Sequence, residues 1–289
     1  MRARVVGIGG GHGLAVTLRA ARHYATDLTA VVSVADDGGS SGRLREATGL
    51  PAMGDIRHCL SALADPESRL GEILEHRFTG ELDGHAFGNL LIAALSARMG
   101  FTPAIDEVTR LVGARARLRP VTETPVVLAA DTDVGLVHGQ VAVQRCGHIK
   151  RVALEPADAP PARDVVDAIV AARQIVLGPG SLYTSVLAAL ALPGIREAVA
   201  ASSAQVVYVC NLRPQIPETD GYDVADHLEA LEDHGVEPDV VICDPGALPI
   251  GRVTIDVVST GVARPHGLAH DPDLLAAALS ALLGRGRDR

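Results

Sequence analysis

Short apolar runs rich in β-branched residues alternate with longer segments of helical periodicity, and this alternation constrains the fold more than any other feature. The first two runs are RVVGI at 4–8 and TAVVSV at 29–34. Continuously apolar runs of this length are typical of strands buried on both faces of a parallel sheet. Strands that alternate with helices are joined by right-handed crossovers. The sequence therefore predicts an α/β fold with a mainly parallel sheet flanked by helices.

The predicted elements follow this alternation along the chain. The predicted strands lie near residues 4–8, 29–34, 125–130, 136–143, 149–154, 174–177, 205–210, 239–243 and 253–257. The predicted helices lie near residues 14–25, 55–64, 68–77, 86–99, 103–112, 162–172, 182–191, 194–202, 222–234 and 271–283. Between about 115 and 155 the strands lack intervening helices, which predicts a small antiparallel excursion from the sheet.

The same pattern predicts the domain organisation. A chain of 289 residues is long enough for one large α/β domain. The segment ADAPP at 157–161 predicts a boundary between two halves, about 1–156 and 162–283, of a single domain over 1–283. The last residues, GRGRDR at 284–289, are predicted to form a flexible tail without a chemical role.

The segment VADDGGSSGRLR at 34–45 places many polar side chains directly after the second predicted strand. Asp36 and Asp37 could bind sugar hydroxyls, hold a divalent cation or act as acid and base. Ser40, Ser41 and Arg43 could bind a phosphate or carboxylate. Ligands bind at this edge of open α/β sheets, because strands end and helices begin there. The alternative is an ordinary solvated turn, in which Asp, Gly and Ser are common.

Two glycine-rich loops follow predicted strands in different parts of the chain. The first, GGGHGL at 9–14, contains Gly10, Gly11, His12 and Gly13, and the second, GPGSLYTS at 178–185, contains Gly178, Gly180 and Ser181. Glycine at a strand-to-helix junction lets backbone amides approach a phosphate and directs a helix N-terminus at it. Two such junctions predict two anionic groups, or a diphosphate bound from both sides. Ser181 is placed to cap the helix that follows the second loop. The alternative is two ordinary turns, with His12 in solvent.

Three further segments place polar groups at predicted helix starts. Asp55 is predicted to cap a helix with Arg57 one turn inside, where Arg57 lies either near a ligand or at the surface. Asn89 follows a glycine that weakens its helix unless a ligand or backbone approaches closely, which favours a place near a site. Asn211 and Tyr222 follow the strand near 205–210, and Tyr222 could stack on a base or pack on the surface.

Composition narrows the class of protein. Hydrophobic residues make up 47% of the chain and aromatic residues 2%, so the core must be built from aliphatic side chains. The net charge is −9 and no basic patch interleaved with aromatics occurs, which argues against nucleic acid as a partner. The four cysteines are far apart, which predicts neither zinc nor disulfides. Without a signal peptide or a bilayer-length apolar run, we expect a cytoplasmic protein that does not insert into membranes.

The motifs resemble, in kind and order, those of the YvcK family of gluconeogenesis factors. They are GGGHGL, VADDGGSSGRLR, GDIRHCLSALAD, GHAFGNLLIAAL, IVLGPGSLYTSV, the NL…Q…ETDGY…DHL segment and AHDPDLLAAAL, and they span nearly the whole chain. The resemblance implies a Rossmann-like α/β fold shared with the CofD superfamily, and a role in carbon metabolism, cell shape and cell-wall precursor supply. It also implies binding of a UDP-sugar, notably UDP-N-acetylglucosamine, without an established catalytic reaction.

The resemblance also implies roles for particular residues. The loops at Gly10 to Gly13 and Gly178 to Ser181 would face the diphosphate, Asp36, Asp37 and Asn89 would line the pocket, Tyr222 would contact the nucleotide, and Arg264 is the nearest candidate for a C-terminal arginine. The chain departs from the family in three places. His12 replaces a common Thr, which would alter a phosphate contact, the run before ETDGY differs, and the region between Cys243 and Gly261 is shorter.

Two functions from different classes remain open. The first is a non-catalytic sensor that needs no cofactor, and whose UDP-sugar occupancy alters its contact with a partner protein of cell-wall synthesis. The second is a CofD-like phosphotransferase that joins 2-phospholactate to a deazaflavin, with magnesium held by Asp36 and Asp37. The sequence after Asp37 is unlike that of the transferases, which favours the sensor. A third interpretation, an NAD site, is weaker because the chain has no acidic residue at the end of the second strand in a clean GxGxxG context. Alanine-rich segments such as 181–192 could support a homodimer.

Overall fold

The computed structural model describes residues 3–283, so the predicted tail at 284–289 lies outside the described residues. The strands are β1 (Arg4–Gly9), β2 (Asp27–Val32), β3 (Arg117–Pro120), β4 (Val127–Thr132), β5 (Gly135–His138), β6 (Ile149–Glu155), β7 (Gln174–Leu177), β8 (Gln205–Val209), β9 (Val240–Cys243) and β10 (Asp256–Ser259). The helices are α1 (Gly11–Ala21), α2 (Gly39–Thr48), α3 (Gly54–Leu63), α4 (Arg69–Ile73), α5 (Phe87–Met99), α6 (Phe101–Leu111), α7 (Gln140–Val143), α8 (Val165–Val170), α9 (Ala188–Leu190), α10 (Pro193–Ala201), α11 (Val224–Asp233) and α12 (Pro272–Leu282). A 3₁₀ turn lies at Gly80–Leu82 and a π-helical turn at Leu182–Leu187.

Seven strands form the main sheet, in the order β10-β9-β8-β7-β1-β2-β3, and every neighbouring pair is parallel. The predicted α/β fold with a mainly parallel sheet is confirmed. The sheet continues across β1 and β7, which come from opposite sides of the predicted boundary at 157–161. The division of one domain into two halves stays a prediction.

A second sheet of three antiparallel strands, β5-β4-β6, forms the predicted excursion. Its hydrogen bonds to the rest of the molecule hold it in place. The Val152 N–H in β6 donates to His234 Nε2 at 3.0 Å, while His234 Nδ1 lies 2.6 Å from the Ala230 carbonyl oxygen. The neutral His234 imidazole therefore links the small sheet to the end of α11. Burial lowers the pKa of His234, which favours this neutral form.

The structure corrects several predicted elements. The strand predicted at 136–143 ends at His138, because Gly139 takes a φ of +93° and the chain turns into α7. No helix is predicted between residues 25 and 55, and yet 39–48 form α2, since small and polar residues mask the helical periodicity there. The edge strand β3 was missed, because two of its four residues are arginines.

Aliphatic side chains fill the core, as the composition predicts, and the strands of the main sheet are buried on both faces near its centre. Each strand in that centre is continuously apolar for this reason. Within residues 3–283 no single helix has the length and apolar character to cross a membrane, although the bent pair Leu182–Leu190 and Pro193–Ala201 passes by length and composition.

Candidate functional site

The two glycine loops meet where the strand order reverses. From β1 the chain continues to β2 and β3 on one side, and from β7 it continues to β8, β9 and β10 on the other. The loops touch, because a Cβ atom on Gly13 would overlap the Pro179 carbonyl oxygen, and Gly178 packs on Thr17 of α1. Ligands of open α/β sheets bind in the crevice at such a reversal. The structure therefore brings loops 9–14 and 178–185 together in a place suited to a ligand.

Four helices begin near this edge without a side-chain cap. They are α1, α2, α3 and α5, whose N-cap residues are Gly10, Gly38, Met53 and Ala86. In contrast, Asp223 and Asp271 cap α11 and α12. The first N–H groups of a helix have no partner within it and carry partial positive charge, so uncapped starts favour anions. In α5 the first two are already used, because the Phe87 and Gly88 N–H groups donate to the carbonyl oxygens of His76 and Leu74.

Asp55 lies between the starts of α1 and α3. The structure places Met53 at the N-cap of α3, so the predicted capping role of Asp55 is wrong. The helix begins one residue earlier, at Gly54, and the Asp55 carboxylate instead packs against Gly10 and accepts a hydrogen bond from the Gly11 N–H. Burial, followed by the nearby Asp36 carboxylate, raises the pKa of Asp55 to about 7.

The adjacent carboxylates of Asp36 and Asp37 serve different contacts. Asp36 Oδ1 accepts from the Gly38 N–H at 2.9 Å, and its Oδ2 lies beside Gly54 at the start of α3. Asp37 Oδ1 accepts from the Val141 N–H at 2.9 Å and so ties this loop to α7. One oxygen of each carboxylate is therefore engaged with a backbone N–H of a different segment. In the part of the chain that the structure describes, no group of three or more His, Cys, Asp or Glu could hold a metal ion.

Ser40, Asn89 and Arg57 form a buried hydrogen-bonded chain. Asn89 Nδ2 donates to Ser40 Oγ at 3.1 Å, and Arg57 Nη1 donates to Asn89 Oδ1 at 3.4 Å. Ser40 Oγ also lies 3.2 Å from His85 Nδ1, and Ser41 packs at the start of α3. Arg57 is only 2% exposed, so the surface position considered from the sequence is wrong. These side chains fix the helix starts relative to one another.

Arg57 continues into a cluster with Glu75, His58 and His12. Arg57 Nε lies 3.2 Å from Glu75 Oε2, and its Nη2 donates to His58 Nε2 at 2.7 Å. Because arginine only donates, the His58 proton lies on Nδ1, 3.0 Å from Glu75 Oε1. The His12 ring packs on His58 with centroids 4.3 Å apart. Burial, followed by His58, lowers the pKa of His12, so His12 is a neutral imidazole at pH 7.

An internal carboxylate occupies the second loop. Ser181 caps the π-helical turn, as predicted, by accepting from the Thr184 N–H at 3.0 Å. Ser181 Oγ in turn donates to the two carboxylate oxygens of Glu218 at 2.5 and 2.7 Å, and the Tyr183 N–H donates to Glu218 Oε1 at 2.8 Å. Glu218 is 3% exposed, and burial raises its pKa. The sequence places Glu218 after β8 at the same sheet edge, although Glu218 is not among the predicted ligand-binding residues.

A groove of about 230 Å³ runs along the contact between the two loops. It is lined by His12, Gly13, Val16, Pro179, Gly180, Asn211, Leu212, Arg213, Gln215, Leu268, Ala269 and His270. Asn211 Oδ1 accepts from the Gly180 N–H at 2.9 Å, and its Nδ2 donates to the Gly180 carbonyl oxygen at 2.8 Å. Asn211 therefore fixes the shape of the second loop. Among the described residues, no protein group is hydrogen-bonded to the His12 ring nitrogens, which leaves them free for a ligand.

Ser33 is a second residue that sequence analysis missed. It follows β2 directly, and its N–H donates to the Gly9 carbonyl oxygen at 2.8 Å. Its hydroxyl is buried and has no hydrogen-bond partner in the described part of the chain. Buried hydroxyl groups in native proteins are nearly always paired, so a water or ligand atom is expected beside it. Nothing in the apolar run TAVVSV distinguished this serine.

Of the predicted site residues, His12, Gly13, Gly180 and Asn211 line the groove, and among the others three make their contacts elsewhere. Tyr222 donates to or accepts from Tyr183 Oη at 2.9 Å and lines a separate cavity of about 280 Å³. Arg43 is exposed, and its Nη2 donates to the Asp83 carbonyl oxygen at 2.7 Å. Arg264 is exposed on the turn that leads to the groove residues 268–270. The structure does not bring these side chains together with His12.

Comparisons with known proteins agree on one family. The family model described as 2-phospho-L-lactate transferase CofD matches residues 5–263. A gluconeogenesis factor from Halalkalibacterium halodurans is 43% identical over 246 residues, which cover 82% of this chain and 76% of that protein. Another from Bacillus subtilis is 43% identical over 231 residues, which cover 78% of this chain and 73% of that protein.

A solved structure shares the whole architecture. The crystal structure of a protein member of the UPF0052 family from Bacillus halodurans matches with a TM-score of 0.89 at 36% identity, covering 97% of this chain and 99% of that chain. The chain therefore belongs to the CofD/UPF0052 family and, within it, to the gluconeogenesis factors.

Proposed function

We propose that the protein binds a nucleotide sugar, with UDP-N-acetylglucosamine as the expected ligand, and acts as a cytoplasmic regulatory protein in carbon metabolism. The observation that carries the proposal is the uncapped start of α1, which opens onto the groove at the reversal of strand order. Helix starts of this kind bind phosphate, and nucleotides bind at such reversals. The name of the relatives, gluconeogenesis factor, supports the role in carbon metabolism.

The diphosphate would lie at the start of α1. The N–H groups of His12 and Gly13 belong to the first helical turn and have no partner within the helix, whereas Asp55 already accepts from the Gly11 N–H. His12 adds a neutral imidazole that can donate or accept. The second loop contributes its shape, because Glu218 already binds its N–H groups. This arrangement replaces the two-sided contact with phosphate that the sequence suggested.

Binding of the nucleotide sugar would change how the protein associates with a partner protein of cell-wall synthesis. The concentration of the nucleotide sugar would in this way affect cell shape and the supply of cell-wall precursors. A ligand shifts such an equilibrium when it favours one state. The structure offers a connection between the loops and the small sheet. Asp37 binds the Val141 N–H of α7, and Gln140 Nε2 of the same helix donates to the Thr184 carbonyl oxygen at 3.1 Å. A shift of either loop would therefore move α7.

The alternative function is a CofD-like phosphotransferase, and the match of the CofD family model to residues 5–263 favours it. Such a reaction would use magnesium to neutralise phosphate charge. The structure gives that ion little support, because Asp36 and Asp37 each bind a backbone N–H of a different segment and no group of three or more possible metal ligands occurs among the described residues. The sensor is therefore the better supported of the two.

Calorimetric titration of the purified protein with UDP-N-acetylglucosamine, with and without magnesium, tests the proposal. The recovered nucleotide is then separated by chromatography. Saturable binding of an intact ligand is the expected result, turnover would establish an enzyme, and the absence of binding would overturn the proposal.

Two variants locate the ligand in the same assay. His12→Ala is expected to weaken binding, since His12 lines the groove at the start of α1. Tyr222→Ala tests the nucleotide contact implied by the resemblance, because Tyr222 lines a different cavity. Asp256→Asn is the control, since Asp256 is exposed at the opposite edge of the main sheet. If all three variants bound the nucleotide sugar with the same affinity, the ligand site would have to lie outside this groove.

A further inference from the structure

We propose that Asp55 is a specificity-determining residue, which makes the site prefer a diphosphate esterified at both ends over one with a free terminal phosphate. The inference rests on the proposed function, since it concerns the charge of the ligand bound at the start of α1. The reason is that the Asp55 carboxylate lies next to the first N–H groups of α1, which would otherwise bind any anion.

The position of Asp55 is the first step. Its carboxylate packs against Gly10, the N-cap of α1, and accepts from the Gly11 N–H. The next two N–H groups of the first turn, on His12 and Gly13, remain for a ligand. Ser33, whose buried hydroxyl lacks a partner in the described chain, follows β2 beside Gly9. A phosphate at this helix start would thus lie close to a carboxylate of the protein.

The groups around Asp55 keep this position poor in positive charge. Asp36 faces it from the loop after β2, and the start of α1 faces it through Gly10 and Gly11. Among residues 3–283, the cation that lowers the pKa of Asp55 is Arg57 on the same helix, and Arg57 is already paired with Glu75. Burial and Asp36 together hold the pKa of Asp55 at about 7, so it is mostly ionised above that pH.

The charge of the ligand decides the preference. Each phosphate of a nucleoside diphosphate sugar is a diester with one negative charge. A free terminal phosphate gains a second charge with a pKa of about 6. At pH 8 that extra charge would lie near ionised Asp55 in a partly buried setting, where repulsion is stronger than in water. We expect the capped diphosphate to bind on the order of tenfold or more tightly.

The test compares UDP-N-acetylglucosamine with UDP by calorimetric titration at about pH 8 and about pH 6. The wild-type protein should prefer the sugar ester at the higher pH and lose much of that preference at the lower one. Asp55→Asn keeps the acceptor for the Gly11 N–H and should bind UDP on the order of tenfold more tightly at pH 8. Asp36→Asn should preserve the preference to a lower pH, because it removes a charge that raises the pKa of Asp55, and this covers the case in which Asp55→Asn fails to fold.

Asp256→Asn makes the same change in net charge away from the groove and should retain the wild-type preference. If the ratio of the two affinities were unchanged in Asp55→Asn at pH 8 and in Asp36→Asn at pH 6, the inference would be overturned while the proposed function stayed intact. If the wild-type protein bound neither ligand, both would be overturned.

Discussion

Replacing Asp55 by Asn is expected to stabilise the protein above pH 7. The pKa of the Asp55 carboxyl is raised from 3.8 to about 7, first by burial and then by Asp36. A carboxyl group whose pKa is raised on folding contributes its full stability below the unfolded pKa. It loses that contribution as the pH rises through the folded pKa. Asn keeps the size and the hydrogen-bond acceptor, and it has no charge to bury.

The magnitude follows from the separation of the two pKa values. Between about pH 5 and pH 7 the unfolded carboxyl is ionised while the folded one keeps its proton, which changes the free energy of unfolding by about 1.4 kcal/mol per pH unit. The two units amount to about 2.7 kcal/mol, and solvent screening at the partly exposed side chain reduces this to about 2 kcal/mol. The variant should therefore gain about 2 kcal/mol relative to wild type between pH 5 and pH 8.

Urea denaturation followed by circular dichroism at several pH values measures this difference. Subtracting the wild-type curve from that of the variant cancels the other titrating groups, and Asp256→Asn provides a control of equal charge. A difference that stayed constant within about 0.5 kcal/mol from pH 5 to pH 8 would refute the assignment of the raised pKa to Asp55.

Three further changes test the packing around the site. Gly13→Ala should lower the free energy of unfolding by about 1–3 kcal/mol, because the new Cβ overlaps a carbonyl oxygen of the second loop; Gly261→Ala, where nothing lies within 4 Å of the new Cβ, should cost far less in the same urea titration. Asp37→Ala should speed hydrogen exchange of the Val141 amide and weaken ligand binding without unfolding the protein, because that amide loses its acceptor. His234→Gln should reduce the loss of stability as the pH falls below about 6.5, since burial lowers the pKa of His234 and acid must protonate it, and thermal melts at about pH 5 and pH 7 measure this.

The parallel character of the main sheet could be predicted from the sequence because its inner strands have a recognisable pattern. RVVGI and QIVL are continuously apolar, and each is followed by glycine and then by helical spacing. Backbone twist and crossover handedness then leave few ways to assemble such units. The edge strand β3 escaped prediction because only the inner strands need apolar residues on both faces, and RLRP has two charged side chains.

The candidate site was predictable in its location and not in its contacts. Loop position places a residue at the correct sheet edge, whereas side-chain direction depends on packing that a local pattern does not contain. Asp37 follows Asp36 directly and yet binds α7, a helix about a hundred residues later in the chain. Arg57 was expected either near a ligand or at the surface, and the structure excludes the surface, because Glu75, Asn89 and His58 enclose it.

The two glycine loops differ in how their helix starts are neutralised, and this difference indicates which one is open to a ligand. Glu218 accepts from Ser181 Oγ and from backbone N–H groups and is almost fully buried, so the second loop is satisfied without any ligand. Asp55 accepts from the Gly11 N–H and leaves the rest of the first turn unpaired beside a groove. Ionising either carboxylate costs free energy, because burial raises the pKa of each. Glu218, with its hydrogen bonds complete, fixes the conformation of the second loop. Asp55 stands next to N–H groups that are still unpaired, so its energy depends on the ligand that binds beside it. The start of α1 is therefore where the charge of a ligand should matter most.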